Sequence, residues 1–67
     1  MMPAEIIAVG SELLGPSRLD TNSLFLTREL QRLGVPVIRK TILPDQCEVL
    51  AAAIADACRR TPLVFTT

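Results

Sequence analysis

Apolar residues are grouped in blocks along the chain, and three of these blocks predict β-strands. The first block, Glu5–Val9, contains the consecutive apolar residues Ile-Ile-Ala-Val. Continuous rather than alternating apolarity is typical of a strand that is covered on both faces in a parallel sheet. Val35–Leu43 predicts a second strand, with Pro36 at its start or on an edge because proline cannot donate to a sheet ladder. Leu63–Thr67 predicts a third strand.

Leucines at helical spacing predict a first helix, Thr21–Leu33, between the first two strands. Gly34 follows it at the place where a left-handed C-cap is expected. Phe25 lies on the flank of the apolar stripe and can pack inward with Leu26. The stripe itself consists of Leu26, Leu30 and Leu33.

A second helix is predicted between the second and third strands. We expect Asp45 to be its N-cap, in a capping-box variant with Glu48, and Pro62 to stop it. Arg59 and Arg60 fall in its last turn, where cations favour the helix dipole. Its predicted core stripe consists of Cys47, Leu50, Ala51, Ile54, Ala55 and Cys58.

The predicted elements alternate in the order β-α-β-α-β. Strands alternating with helices of this length indicate an α/β fold, in which right-handed crossovers join the strands of a parallel sheet. No repeat or linker divides residues 1–67, so we expect one unit.

Length and composition limit the function further. A chain of 67 residues buries only about 60% of its unfolded surface, which makes its stability marginal. Cys47 and Cys58 lie roughly 16 Å apart along one helix, too far for a disulfide, so we expect reduced core thiols in a cytoplasmic protein. Without histidine or a cysteine cluster, no zinc site is expected.

Charge and hydropathy argue against two classes of partner. Seven basic and seven acidic residues give a net charge of zero, and only two residues are aromatic. A nucleic-acid partner usually requires a basic patch or an aromatic stacking platform, so we expect none. No apolar stretch is long enough for a signal peptide or a membrane span, so we expect a cytoplasmic location and no membrane partner.

The candidate functional segment is the loop Gly10–Asn22, between the first strand and the first helix. Ligands of open α/β sheets bind in such loops, at the carboxyl ends of strands. Gly10 can let a ligand approach the backbone, and the backbone amides near Gly10 and Ser11, with the Ser11 hydroxyl, can hold a phosphate or carbonyl oxygen. Glu12 can position a ribose hydroxyl or a metal-bound water. An ordinary turn with an exposed acid remains the alternative reading of this Ser-Glu pair.

Asp20, Thr21 and Asn22 form the second half of the candidate segment. Each can cap the helix that follows, and capping alone explains one polar residue there. Three consecutive polar residues are more than one cap needs. The free backbone amides of a helix N-terminus can in addition bind an anion. Asp20 can in addition bind a divalent ion that bridges phosphates, for which we expect Mg²⁺. Arg18 can meet a phosphate or remain solvated.

Several familiar site patterns are absent from the sequence. The Rossmann Gly-x-Gly-x-x-Gly and the P-loop Gly-x-x-x-x-Gly-Lys-Ser/Thr patterns do not occur. Without histidine there is also no Ser-His-Asp or Cys-His arrangement.

The combination of Gly10-Ser11-Glu12-Leu13-Leu14 with Asp20-Thr21-Asn22-Ser23 resembles the amino-terminal domain of the CinA (competence/damage-inducible) family. It is similar, more distantly, to the molybdopterin-binding domains of the MoaB, MogA and MoeA group. The resemblance extends over essentially the whole chain. It implies a partial three-layer α/β/α sandwich with strand order 2-1-3, in which residues 1–67 are an amino-terminal fragment of the domain.

The same resemblance implies a function. The family activity is a metal-dependent ADP-ribose pyrophosphatase, with a nucleotide or pterin as the ligand of Gly10, Ser11, Glu12, Asp20, Thr21 and Asn22. The alternatives are a molybdopterin-binding module of molybdenum-cofactor biosynthesis and an inactive truncated fragment. The family's second site wall, a Gly-Gly-x-Gly-Pro-Thr segment, does not follow the third strand here, so we expect an incomplete site. We also expect the exposed sheet edge to permit a homo-oligomer.

Overall fold

A computed structural model describes residues 2–67, and it contains the five predicted elements in the predicted order. One additional element, a single 3₁₀ turn at Ser11–Leu14, lies within the loop after the first strand. No helix in this range has the length and apolar content needed to cross a membrane. The main elements are β1 (Ala4–Val9), α1 (Thr21–Arg32), β2 (Val37–Leu43), α2 (Cys47–Arg60) and β3 (Leu63–Thr66).

The three strands form one parallel sheet in the order β2-β1-β3, which confirms the predicted α/β fold and strand order. The sheet separates the two helices. Leu30 of α1 packs with Ala4 and Ile6 on one face, while Arg60 at the end of α2 reaches Glu5 on the other. Because alternate residues of β1 point to opposite faces, α1 and α2 lie on opposite sides of the sheet. This arrangement is the predicted partial α/β/α sandwich.

Helix α1 confirms the predicted caps but not all of the predicted stripe. Leu26 and Leu30 pack on the sheet, whereas Leu33 is 71% exposed and Phe25 is 66% exposed. The predicted inward placement of Leu33 was therefore wrong, and the possible inward packing of Phe25 does not occur. Leu33 already lies in the C-cap position beyond the last helical residue, and Phe25 is turned about 100° from Leu26 around the helix. Gly34 has φ +80° and provides the predicted left-handed cap.

The start of α2 differs from the prediction. The helix begins at Cys47, and its N-cap is Gln46, which makes no side-chain capping bond. Asp45 is therefore not the cap, and the capping box with Glu48 is not formed. The Gln46 amide donates to the Pro44 carbonyl at 2.8 Å, and this tight turn places Asp45 one residue ahead of the cap position.

The face that α2 turns to the sheet also differs from the prediction. Cys47 and Cys58 are free but exposed, so their predicted core placement was wrong. Alanines lie on several sides of this helix, so more than one face is small enough to approach the sheet closely. The face that does so is turned away from the cysteines. Its most covered residues are Leu50, Ala53 and Ala57.

Glu5 is a charged residue at the start of the central strand, and only 1% of it is exposed. Arg60 donates to both of its carboxylate oxygens, each at 2.8 Å. The Thr61 hydroxyl also donates to it, and Arg39 Nε lies 3.9 Å from its Oε1. We call these four residues the Glu5 cluster. The bidentate bond from Arg60 holds the pKa of Glu5 below its usual value, against the opposing effect of burial.

This cluster predicts how the stability depends on pH. Because the pKa of Glu5 is lower in the folded chain, its contribution is fully present above its usual value of 4.5 and is lost as the pH falls through the lower folded value. We expect urea midpoints of wild type and Glu5→Gln to differ by a constant amount at pH 5–7 and to converge below. A difference that stays constant down to pH 2 would contradict this assignment.

Candidate functional site

The Gly10–Asn22 loop lies where the sequence placed it, at the carboxyl edge of the sheet. A pocket of about 190 Å³ opens between this loop and the ends of β1 and β3. The strand order reverses here, since β1 is followed by β2 on one side and β3 lies on the other. Drug-sized ligands occupy pockets of roughly 300–1,000 Å³, so this one has room for a phosphate or a sugar rather than a whole dinucleotide. It is lined by Val9, Glu12, Leu13, Arg18, Leu19, Asp20, Thr21, Asn22 and Thr67.

Gly10 shapes the entrance to the loop but does not line the pocket. Its φ of +156° with ψ of +120° is a conformation that residues with a side chain rarely adopt. Its amide donates to the Leu43 carbonyl at 2.9 Å, and its carbonyl accepts from Leu13 at 3.1 Å. The Gly10 amide is thus already bonded within the fold. The glycine makes the sharp exit from β1 possible and lets Glu12 fold back over it.

Ser11 and Glu12 begin the 3₁₀ turn, and both are exposed. Only Glu12 lines the pocket. Its carboxylate folds back toward Gly10, so that a Cβ on residue 10 would lie 2.6 Å from Glu12 Oε1. The structure therefore places the predicted acid at the pocket, whereas Ser11 does not line it.

Asp20 is the N-cap of α1, which is one of the two roles that the sequence suggested for it. Its Oδ1 accepts the Ser23 amide at 3.1 Å, and the Ser23 hydroxyl donates to its Oδ2. Ser23 is buried, and its carbonyl accepts from Thr27 at 2.6 Å. These bonds fix the orientation of a carboxylate that also lines the pocket. Capping and ligand contact are therefore compatible roles for Asp20.

Thr21 and Asn22 form the first turn of α1 and line the same pocket as Asp20. The Thr21 amide donates to the Leu19 carbonyl at 3.0 Å. Arg18 also lines the pocket and is exposed to solvent. Of the six predicted ligand residues, the structure brings Glu12, Asp20, Thr21 and Asn22 together.

Sequence reasoning did not include Thr67, directly after β3, among the site residues. The Thr67 amide donates to the Ile7 carbonyl at 3.0 Å, and the Thr67 carbonyl accepts from Val9 at 3.0 Å. These bonds extend the β1–β3 ladder to the pocket, which Thr67 and Val9 line. The available signal was the polar pair Thr66-Thr67 at the end of an otherwise apolar strand.

The residues present fit a magnesium ion that is shared with a bound phosphate. Within residues 2–67 no group of three or more acidic, cysteine or histidine side chains is placed to hold a metal ion alone. Mg²⁺, however, commonly binds through one or two carboxylates plus substrate phosphates and water. Glu12 and Asp20 supply two carboxylates on the pocket wall, which suits this second type of site.

Comparison with known proteins identifies the family. Residues 5–67 match the family described as "Probable molybdopterin binding domain". The chain belongs to this family. It is 50% identical over 98% of its length to a CinA-like protein of Solibacter usitatus, and 54% identical over 94% to one of Acidobacterium capsulatum. The resemblance drawn from the Gly10–Asn22 motif is thereby confirmed.

A solved structure confirms the fold of this molybdopterin-binding-family chain. The crystal structure of the protein CinA with unknown function from Thermoplasma acidophilum matches 97% of the chain, with a TM-score of 0.90 and 28% sequence identity. The chain covers 38% of that structure. It spans 16% and 15% of the lengths of the Solibacter and Acidobacterium relatives. Activities of such longer proteins are therefore proposals for this chain.

Proposed function

We propose that the Gly10–Asn22 loop binds the phosphate of a nucleotide and forms one wall of a magnesium-dependent ADP-ribose pyrophosphatase site. The observation that carries this proposal is the pocket at the switch point between β1 and β3. Four polar residues from the two halves of the motif meet there. Its volume of about 190 Å³ suits one phosphate or sugar group of such a ligand.

Each residue of the wall has a defined part in this proposal. The Asn22 side chain and the exposed first turn of α1 present polar groups to a phosphate, with the positive end of the helix dipole behind them. Arg18 adds a positive charge on the same wall. Glu12 and Asp20 would hold Mg²⁺ in this proposal, and the ion would supply charge neutralisation to the pyrophosphate.

A second candidate is a pterin-binding module without hydrolysis. It is favoured by the match of residues 5–67 to a family described as molybdopterin-binding. A pterin phosphate would occupy the same wall, because the chemistry that recognises a phosphate does not depend on what the phosphate carries. Calorimetry with molybdopterin and with ADP-ribose separates the two candidates.

The decisive experiment places this chain in a full-length protein. Residues 1–67 replace the aligned segment of the Solibacter usitatus CinA-like protein, and AMP release from ADP-ribose is measured with Mg²⁺. We expect Asp20→Asn to lower the rate by about 10²-fold, the size of effect seen when one electrostatic contact to a transition state is removed. Asparagine is as good an N-cap as aspartate, so this substitution removes the charge and keeps the cap.

Glu29→Gln is the matched control, because Glu29 lies on the same helix and, within residues 2–67, pairs only with the exposed Arg32. It should leave the rate unchanged. Full activity of Asp20→Asn would refute the metal role of Asp20. Absence of AMP release, together with molybdopterin binding in the calorimeter, would replace the hydrolase proposal by the binding module.

A further inference from the structure

Ser23 is a buried polar residue in the first turn of α1, directly after the residues that line the pocket. Only 3% of it is exposed, and it is not itself part of the pocket lining. It lies on the side of the helix that packs on the sheet, seven positions before Leu30, the other buried residue of α1. Packing alone would favour alanine here, because a buried hydroxyl costs free energy unless it is hydrogen-bonded. The hydroxyl of Ser23 therefore requires an explanation other than packing.

The partner of this hydroxyl is the carboxylate of Asp20. The Ser23 hydroxyl donates to Asp20 Oδ2, while the Ser23 amide donates to Asp20 Oδ1 at 3.1 Å. The Asp20 carbonyl is a more distant acceptor of the hydroxyl, at 3.5 Å, and a hydroxyl has only one proton to donate. Ser23 thus binds both oxygens of a carboxylate that lines the pocket.

Helix capping accounts for only one of these two bonds. A cap side chain satisfies a free backbone amide of the first turn, and the bond from the Ser23 amide to Asp20 Oδ1 does this. In a capping box, the side chain at the position of Ser23 accepts from the backbone amide of the cap residue. The Ser23 hydroxyl instead donates to the cap carboxylate, so it satisfies no free amide. Its direct effect is on the carboxylate of Asp20.

The two bonds together restrict the rotation of this carboxylate. The last torsion of an aspartate side chain has a broad distribution, so a carboxylate with one bound oxygen can still turn. Donors to both oxygens from a single residue hold its plane. Each oxygen of a carboxylate can accept more than one bond, so both Asp20 oxygens retain a site for a ligand in the pocket. The Ser23 hydroxyl therefore determines which way these sites point.

We propose that Ser23 is a positioning residue of the site, whose hydroxyl holds the Asp20 carboxylate in the orientation that binds a divalent cation. This role rests on the proposed function, which assigns the cation to Glu12 and Asp20. Ser23 does not touch the ligand. Hydrogen bonds from such outer residues orient metal ligands, and losing one typically lowers metal affinity by about 10- to 100-fold. Both partners belong to one helix turn, so the arrangement is complete within this chain.

The affinity for Mn²⁺ alone tests this role without an activity assay. Electron paramagnetic resonance measures free Mn²⁺ in titrations of the full-length protein that carries residues 1–67 in place of the aligned Solibacter usitatus segment. The binding lost in Asp20→Asn defines the site. Ser23→Ala removes the hydroxyl and keeps the amide that Asp20 caps. We expect it to raise the Kd for Mn²⁺ at this site about 10-fold or more, and to change nothing further in the Asp20→Asn background.

Leu30→Val is the matched control, because it shortens the other buried side chain of α1 and leaves Asp20 untouched. It should lower the urea midpoint and keep the wild-type Kd for Mn²⁺. Equal weakening of Mn²⁺ binding by Leu30→Val and Ser23→Ala would show that Ser23 acts through stability, and would refute the positioning role.

Two further outcomes distinguish this inference from the proposed function. If Asp20→Asn removes a Mn²⁺ site and Ser23→Ala binds Mn²⁺ as tightly as wild type, the role of Ser23 is refuted and the metal role of Asp20 is supported. If Asp20→Asn removes no Mn²⁺ site, the metal role of Asp20 is refuted, and the role of Ser23 with it.

Discussion

Replacing Glu5 by glutamine is expected to lower the free energy of unfolding by about 1.5–3 kcal/mol at pH 7, the usual contribution of hydrogen bonds to a charged group. The substitution keeps the shape of the side chain and removes the charge that Arg60 binds through two hydrogen bonds. A glutamine amide can accept only one of them, and its NH₂ group would face the donors of the guanidinium. A polar atom would then be buried without a partner.

The structural consequence of this change extends beyond β1. The Glu5 cluster joins the start of the central strand to the end of α2 and, through Arg39, to β2. Among residues 2–67 it is the polar contact that ties α2 to a strand other than β3. We therefore expect Glu5→Gln to loosen α2, with faster amide hydrogen exchange in its last turns than in α1.

The measurement is urea unfolding followed by far-ultraviolet circular dichroism, since the chain has no tryptophan or tyrosine. Glu29→Gln is the control, because Glu29 also pairs with an arginine, through one contact to Arg32 at 2.8 Å on the exposed surface of α1. Exposed pairs contribute about 0–1 kcal/mol, so the control should unfold almost like wild type. Equal losses for the two variants would show that burial of Glu5 adds nothing.

The order of elements could be read from the sequence because apolar runs and helical spacing depend on local residues. Continuous apolarity identified β1 as a central strand, and the leucine spacing identified α1. The left-handed cap at Gly34 also followed from one residue. These features need no knowledge of what the chain packs against.

Side-chain partners that are distant in sequence could not be read in this way. The sequence assigned Arg60 to the helix dipole, whereas it binds Glu5, 55 positions earlier. A charged residue opening a buried strand was the signal, but nothing local selects its partner among several arginines. For α2, alanine on most sides left the covered face undecided, and of the predicted stripe only Leu50 is partly covered while both cysteines are exposed.

In the candidate site, too, features set by local residues could be predicted, whereas contacts between residues distant in sequence could not. Asp20 was identified as a cap because capping is a local property, and the motif contains Glu12 and Asn22, which line the pocket. The part played by Thr67 depends on the β1–β3 pairing, for which the polar pair Thr66-Thr67 was a weak local signal. The Gly10 amide was expected to be available to a ligand, but the β2 carbonyl of Leu43 already binds it.

Gly10→Ala is expected to have a second large effect, because it acts on both the backbone and the site. The residue has φ +156°, and a side chain in such a sparsely populated region costs about 1–3 kcal/mol. The backbone cannot easily rotate away, since hydrogen bonds to Leu43 and from Leu13 hold Gly10 on both sides. The added methyl group also meets Glu12 Oε1 at 2.6 Å, so this carboxylate must leave its position.

A double-mutant comparison separates these two causes. In a Glu12→Ala background the steric contact with the carboxylate is absent. Because the backbone strain remains, we expect Gly10→Ala to lower the free energy of unfolding there by most of the amount that it loses in the wild-type background. Gly34→Ala serves as the control, with φ +80° and no atom within 4 Å of the added carbon. It should cost about 1–2 kcal/mol through its left-handed conformation and leave phosphate binding at the pocket unchanged. A wild-type urea midpoint for Gly10→Ala would show that backbone strain at residue 10 does not affect stability. Phosphate binding equal to that of Gly34→Ala would show that the position of the Glu12 carboxylate does not depend on a glycine at residue 10.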